Sequence, residues 1–219
     1  MHTIKGVIFD LDGVLIDSEE LTSDAAIIYF KEKGFKVKKE DFIPFFGTGE
    51  KGYFGGVAQK YGIPYENEVE ADRIYMRYAE LSKGKVGPLP GVADFIAICK
   101  TKNLKLAVAT SASLFKLRIN LQLIGFADNT FDTLVCGTDI KKNKPDPEIF
   151  ITAAHLLGLE PEDCLVIEDS PSGVEAAKGA GSRCLAVLTS FSISDLKKAD
   201  WIIHDLTEYP DEVFNFASR

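Results

Sequence analysis

FDLDGVLIDS (residues 9–18) follows directly on the apolar run Val7-Ile8-Phe9 and puts two carboxylates, Asp10 and Asp12, where a buried strand should end. Side chains at i and i+2 of a strand share a face, so Asp10 and Asp12 converge if the chain stays extended between them. Adjacent carboxylates repel, and the pair is stable only with a proton or a cation between them. Gly13 then lets the backbone turn sharply and approach a ligand. A plain Asp-Gly turn without chemistry fits these ten residues equally well. The rest of the chain has to separate the two readings.

Working outward, four more short apolar runs recur: LKLAVAT (104–110), TLVCG (133–137), CLVIED (164–169) and RCLAVL (183–188). Between them lie helical patterns, among them PGVADFIAICKTKN (90–103), PEIFITAAHLLGL (147–159) and SGVEAAKGAG (172–181). In the second, Ile149, Phe150, Ala153, Ala154 and Leu157 recur at helical spacing, and Gly158 is a natural stop. The alternation predicts a parallel sheet buried on both faces, a doubly wound, Rossmann-like α/β fold. From about Ser18 to Gly87 the pattern breaks. No buried strand is evident there, but SEELTSDAAIIYFKEKG and ENEVEADRIYMRYAELSKG read as helices. This predicts a helical cap (16–86) inserted into a core made of 1–15 and 87–219, with GKVGPLPG (84–91) as the return linker. The C-terminal ADWIIHDLTEYPDEVFNF predicts a short edge strand, WIIH, and a final helix.

Composition removes whole classes of function. The 25 Lys+Arg against 33 Asp+Glu give a net charge of -8, which argues against a nucleic-acid or anionic-membrane partner. No apolar stretch approaches a membrane span and the N-terminus lacks an apolar leader, so a cytoplasmic protein is expected, with a monomer as the default for a chain with such a cap. Cys99, Cys136, Cys164 and Cys184 stand singly in apolar settings and read as reduced, buried thiols. His2, His155 and His204 form no ligand spacing.

Ligands of open α/β sheets bind beyond the carboxyl ends of the strands. Three of the five main strands end there in polar groups: Asp10 and Asp12, then Thr110 and Ser111, then Glu168 and Asp169. Packing alone does not produce that coincidence at one edge. Lys144 in KNKPDPEIF joins the set, because Pro145 and Pro147 place it on a stiff loop rather than a free surface arm. Hard carboxylates from Asp10 and Asp169 suit Mg²⁺, with Asp12 and Glu168 as further metal candidates. With the charge screened, Asp10 can attack phosphorus and form an aspartyl-phosphate. Asp12 would protonate the leaving oxygen and then deprotonate the attacking water. Thr110, Ser111 and Lys144 would hold the non-reacting phosphate oxygens.

DLDGVLIDS, the Thr-Ser after the second strand, the lysine of KPDPEIF and VIEDSPSG resemble the four motifs of the haloacid dehalogenase superfamily, in its phosphatase branch with a helical cap. The resemblance spans essentially the whole chain. It implies Asp10 as nucleophile, Asp12 as acid/base, Thr110 and Lys144 as phosphate ligands, Asp169 as a metal ligand with Glu168 nearby, and a cap that selects the substrate. Dehalogenases of the superfamily lack the second Asp of the first motif, so Asp12 implies phosphoryl transfer.

The most similar-looking subgroup holds β-phosphoglucomutases and sugar-phosphate phosphatases. The mutase cap carries a histidine where this chain has Thr22, and Lys-Gly followed by an arginine where it has Phe46-Gly47 and Glu50. Without those cations the expectation is a phosphatase acting on a small organic phosphate, a sugar phosphate, with a phosphosugar mutase as the alternative. Thr48, Lys51 and Arg73 are the cap candidates for substrate contact. Two rivals from other classes fail. GTGEKG (47–52) matches G-x-G-x-x-G but follows the Pro44-containing DFIPFF, so it reads as a cap loop. A phospho-acceptor receiver domain would place its acidic pair before the lysine, whereas Glu168-Asp169 comes after it.

Overall fold

A computed structural model of the chain describes residues 2–45 and 49–216. Its strands are β1 (His2–Thr3), β2 (Gly6–Phe9), β3 (Lys105–Ala109), β4 (Thr133–Val135), β5 (Cys164–Glu168), β6 (Arg183–Val187), β7 (Trp201–Ile203) and β8 (Asn215–Phe216). Its α-helices are α1 (Glu19–Glu32), α2 (Gly49–Lys60), α3 (Asn67–Ser82), α4 (Val92–Thr101), α5 (Leu114–Leu123), α6 (Glu148–Leu156) and α7 (Pro171–Ala180). The chain divides into two compact units, Met1–Asp17 with Pro88–Ser111 and Ala127–Arg219, and Ser18–Gly87 with Ala112–Phe126. Among the described residues no helix is long and apolar enough to cross a membrane.

The first unit is the predicted doubly wound sheet. Its six strands run in the order β4-β3-β2-β5-β6-β7 and every pairing is parallel. The continuous apolar character of β2 and β5 follows from position, because central parallel strands covered on both faces have no solvent side to alternate with. On one face Ile8, Ala107 and Val166 pack with Ile149 and Phe150 of α6 and Val174 of α7. On the other, the Phe9 ring meets Phe95 and Phe131 edge-on, each with centroids 6.1 Å apart. From β2 the chain order runs outward to β3 and β4 on one side, and from β5 to β6 and β7 on the other. The switch point therefore lies between β2 and β5, where such sheets open a crevice at their carboxyl ends.

The edge strand at WIIH is present as β7, but the predicted final helix is not. Pro210 precedes a single 3₁₀ turn, Asp211–Val213, after which β8 pairs antiparallel with β1. Two contacts favour the extended tail: the Ile4 amide donates to the Phe214 carbonyl, and the Phe214 ring stacks on Phe95 with centroids 5.6 Å apart. Three residues after a proline cannot offset both with helical hydrogen bonds.

The second unit is helical. Ala25, Ala26 and Phe30 of α1, Phe54 and Val57 of α2, and Ile74 and Tyr78 of α3 form its core. Gly49–Gly52 open α2 rather than forming the expected loop, while Phe46, Gly47 and Thr48 lie outside the described residues. Helix α5 also belongs here and was not anticipated. Its polar Lys116 and Asn120 are buried, so LFKLRINLQL shows no clean apolar face. Its readable signal is Ser113, whose hydroxyl caps the helix by accepting from the Lys116 amide.

Candidate active site

Asp10 is the first residue beyond β2, and its amide donates to the Ile167 carbonyl at 3.0 Å. The chain does not continue extended to Asp12. The Leu15 and Ile16 amides both return to the Leu11 carbonyl, at 2.9 and 3.2 Å, and the Gly13 amide reaches Ile16 at 2.8 Å. Fully buried Leu11, Leu15 and Ile16 anchor this turn, which carries Asp12 as a half-buried residue. Alternation along a strand is therefore not what relates the two carboxylates, although Asp10 still feels the charge of Asp12.

Register sets the neighbours. Phe9 pairs with Ile167 of β5, so Asp10 comes level with Glu168, and Lys144 closes the gap from its loop. The Lys144 ammonium donates to Asp10 Oδ1 and Glu168 Oε1, both at 2.6 Å, and lies 4.9 Å from the centre of the Phe150 ring. The other oxygen of Glu168 accepts from the Asp169 amide, the Ser170 amide and the Ser170 hydroxyl, each at 2.9 Å. Both oxygens of this carboxylate are thus engaged by protein donors. Gly173 is required beside it, since a Cβ there would come within 1.8 Å of Glu168 Oε1. Asp169 accepts from the Ser190 hydroxyl.

Charge at this edge is unbalanced. Burial pushes the Asp10 carboxyl up to about 7; Lys144 pulls against it, while Glu168 and Asp12 add to the rise. Burial also holds Asp169 well above the carboxylate range, reinforced by Glu168 and Asp10. Burial alone would depress Lys144, but the adjoining charges of Asp10 and Glu168 hold it above its ordinary value. Among the described residues one lysine thus serves several buried acids, and a further cation would balance them. Among the described residues no three Asp, Glu, His or Cys side chains could enclose a metal by themselves. Two carboxylates completed by backbone, water and phosphoryl oxygens fit Mg²⁺, which keeps much of its shell from such sources.

Thr110 and Ser111 follow β3, the strand beside β2. Thr110 is buried and donates its amide to Val135, and Ser111 is half-buried. Asp10, Asp12, Thr110, Ser111, Lys144, Glu168 and Asp169 therefore all belong to the carboxyl edge of one sheet. Lys51 and Arg73 are exposed on α2 and α3 of the helical unit, and Thr48 lies outside the described residues.

Three residues at this edge escaped the sequence reading. Ser170 was legible as an N-cap before Pro171, and its hydroxyl accepts from Gly173. Glu148 accepts from the Lys141 and Lys142 amides, both at 3.0 Å, and so fixes the loop that carries Lys144. Its only signal was a carboxylate after Pro147. Ser190, in the loop between β6 and β7, left no signal. The four cysteines are free and buried as expected, with burial pushing the Cys99 and Cys164 thiols up to about 12.

The profile of the family described as haloacid dehalogenase-like hydrolase matches residues 7–187, and the chain belongs to that family. It is 41% identical over 201 residues to Protein SUPPRESSOR OF QUENCHING 1, chloroplastic, of Arabidopsis thaliana, covering 90% of this chain but only 19% of the plant protein. It is 32% identical over 178 residues to the Phosphorylated carbohydrates phosphatase of Thermotoga maritima, covering 81% of this chain and 82% of that protein. The crystal structure of CbbY from Rhodobacter sphaeroides in complex with phosphate superposes with a TM-score of 0.84 at 28% identity, covering 94% of this chain and 96% of that one.

Proposed function

We propose that the chain is a Mg²⁺-dependent phosphatase that hydrolyses a small organic phosphate, a sugar phosphate, through an aspartyl-phosphate on Asp10. The observation that carries this reading is the buried Lys144 ammonium held between Asp10 and Glu168. It supplies fixed positive charge beside a carboxylate that stands at the sheet's switch point. The phosphatase name of the Thermotoga relative and the phosphate complex of the Rhodobacter protein support the same chemistry.

Asp10 and Asp169 would hold the cation. Glu168, whose oxygens are taken by Lys144 and the start of α7, orients Lys144 and stands behind Asp169. Mg²⁺ bound there would neutralise the acidic edge and offset negative charge on the phosphoryl group. An Asp10 carboxylate oxygen attacks phosphorus, an O–P bond forms, and the bond from phosphorus to the alcohol oxygen breaks. Asp12 delivers its proton to that leaving oxygen. In the second half Asp12 takes a proton from water, the water oxygen attacks phosphorus, and Asp10 is released with inorganic phosphate. Lys144, Thr110 and Ser111 hold the non-reacting oxygens as their charge shifts.

Water rather than a second sugar phosphate is the acceptor in this reading. Glu50 stands where the mutase cap has its arginine, and its carboxylate accepts from the Ser113 amide at 2.6 Å. That position therefore carries an acid engaged within the helical unit, which offers no grip on a second phosphate. We infer that exposed residues of that unit, Lys51 and Arg73 among them, select the substrate. Phosphate release from a panel of phosphorylated sugars and related metabolites, with and without Mg²⁺, tests the function. Metal-dependent release that disappears in Asp10→Asn is expected. Conversion of β-glucose 1-phosphate to glucose 6-phosphate without phosphate release would replace it with the mutase.

A further inference from the structure

Ser190 lies in the segment between β6 and β7 and is an exposed residue, yet its hydroxyl turns inward and donates to Asp169 Oδ2 at 2.5 Å. From another side the same oxygen is closed off by the first turn after β2. Gly13 has φ +80, and a Cβ there would stand 1.9 Å from Asp169 Oδ2. Asp169 Oδ1 has no protein donor among the described residues. The two oxygens of this carboxylate are therefore unequal: one is claimed by a hydroxyl and crowded by backbone, and the other is left for a ligand.

We propose that Ser190 is a positioning residue that, with Gly13, restricts Asp169 to offering a single oxygen and thereby biases the cation site towards Mg²⁺ and against Ca²⁺. The inference rests on the reading above that Asp169 holds a cation, and it deepens that reading by assigning an ion preference to a residue outside the four motifs. Mg²⁺ demands near-ideal octahedral geometry and is satisfied by single carboxylate oxygens. Ca²⁺ takes a larger, more flexible shell and readily accepts both oxygens of one carboxylate. For Asp169 to offer both, Oδ2 must turn from the Ser190 hydroxyl to the ion, within the narrow space that a glycine at position 13 leaves for this carboxylate. Those constraints penalise the larger ion selectively. A hydroxyl that steadies a ligating carboxylate acts on metal affinity through the ligand, as outer partners of metal ligands do.

The test is calorimetric titration of the full metal-free chain with Mg²⁺ and, separately, with Ca²⁺, without substrate, for the native protein, Ser190→Ala, Ser190→Thr and Asp169→Asn. Because Ser190 is exposed, the alanine variant should fold, and its melting curve in chelator checks this. Ser190→Ala should weaken Mg²⁺ binding by roughly tenfold, the lower end for loss of an outer partner. Its Ca²⁺ affinity should hold or rise, so the preference narrows, and Ser190→Thr, which keeps the hydroxyl, should restore it. Equal weakening of both ions, or no change in either, overturns the proposal, since a merely structural role would not alter the ratio. Mg²⁺-dependent phosphate release with an unaltered ratio in Ser190→Ala would sink the Ser190 assignment alone. Absence of Mg²⁺ binding to the native protein, or binding that survives in Asp169→Asn, removes the assignment of Asp169 and this inference with it.

Discussion

Asp10 and Asp41 are exposed to a similar, small extent, at 8% and 7%, but Asp10 lies deep and Asp41 close beneath the surface, and the protein holds them at opposite ends of the carboxyl range. Asp41, in the helical unit, accepts from the Lys60 ammonium, the Tyr61 hydroxyl and the Lys38 amide, and these donors hold it down at about 2. Asp10 shares one ammonium with Glu168 and is pushed up to about 7 by burial. The contrast is not one of unit against unit. Asp200, in the same α/β unit as Asp10, accepts from Lys178, Arg183 and the Cys184 amide, and those donors outweigh its burial and lower it. Burial of an acid therefore does not mark a site. A single buried carboxylate oxygen without a donor does not mark one either, since Glu70 Oε2 in the helical unit is such an atom. What marks the site is three buried acids, Asp10, Glu168 and Asp169, gathered at the carboxyl edge of the sheet around one lysine, where an added cation and an anionic substrate would complete the set.

The strongest way to break this comparison is to neutralise each acid in turn. Asp10→Asn should reduce phosphate release by a factor on the order of 10⁴ or more, as expected for loss of a nucleophile. Its melting temperature in chelator should stay close to that of the native protein, because Lys144 keeps Glu168 as its partner and the variant removes one of several mutually repelling acids. Asp41→Asn should do the reverse, leaving turnover intact while lowering stability. If Asp10→Asn lowers the melting temperature as much as Asp41→Asn does, the sheet edge is structural and the comparison fails. Lys144→Met sharpens the same point. Removing it leaves Asp10 and Glu168 buried without their shared cation, which should cost about 3 kcal/mol in urea unfolding, in addition to the loss of turnover.

How far the sequence could carry this reading depended on what each residue's partner was. The apolar runs ending in Asp10, Thr110 and Asp169 were legible because central parallel strands need uninterrupted apolar residues, and the polar ends then stand out. Lys144 was legible because two prolines fix its loop. The relation of Asp10 to Asp12 was not: strand periodicity suggested a shared face, whereas the chain turns at Leu11 to close on Ile16. Glu168 is a metal candidate by adjacency to Asp169; what adjacency did not show is that its oxygens meet Lys144 and the start of α7, partners distant or backbone in kind. Ser190 was invisible because it reaches Asp169 from a loop with no periodic pattern. Helix α5 was missed where buried Lys116 and Asn120 interrupt the apolar stripe, and the C-terminal helix was overcalled because pairing of β8 with β1 is non-local.

The Asp41 cluster makes a smaller, pH-dependent prediction. A carboxylate held at about 2 in the native state and titrating near 3.9 when unfolded stabilises the fold above roughly pH 4. Between those values the unfolded chain binds more protons, so this contribution is lost as pH falls from about 4 to about 2. Asp41→Asn should cost about 2 kcal/mol at pH 7, as for hydrogen bonds to a charged group. The gap between native and variant in urea unfolding should shrink across that acid window. A gap that stays constant down to pH 2 would mean that the donors around Asp41 hold its neutral form as firmly as its ionised one.

Lys51 and Arg73 bear on the helical unit's other half of the comparison: whether its surface charges are used as the buried Asp41 is. Both are exposed on helices, so Lys51→Ala and Arg73→Ala should each change stability by no more than about 0.5 kcal/mol. A role in choosing the substrate has a different signature. Loss of a cation that grips the organic portion equally in ground and transition states raises KM and leaves kcat unchanged. For a single solvent-exposed contact the rise should be a few-fold, on the order of 1 kcal/mol or less, and it should differ from one phosphorylated substrate to the next. A uniform rise across the panel would indicate long-range attraction of any anion to a chain of net charge -8, which added salt would abolish. A rise confined to some substrates and resistant to salt would place selection on these side chains. No change in either variant would move it to other residues of the helical unit, because in the proposed mechanism the donors at the sheet edge hold the phosphoryl group that every substrate would share.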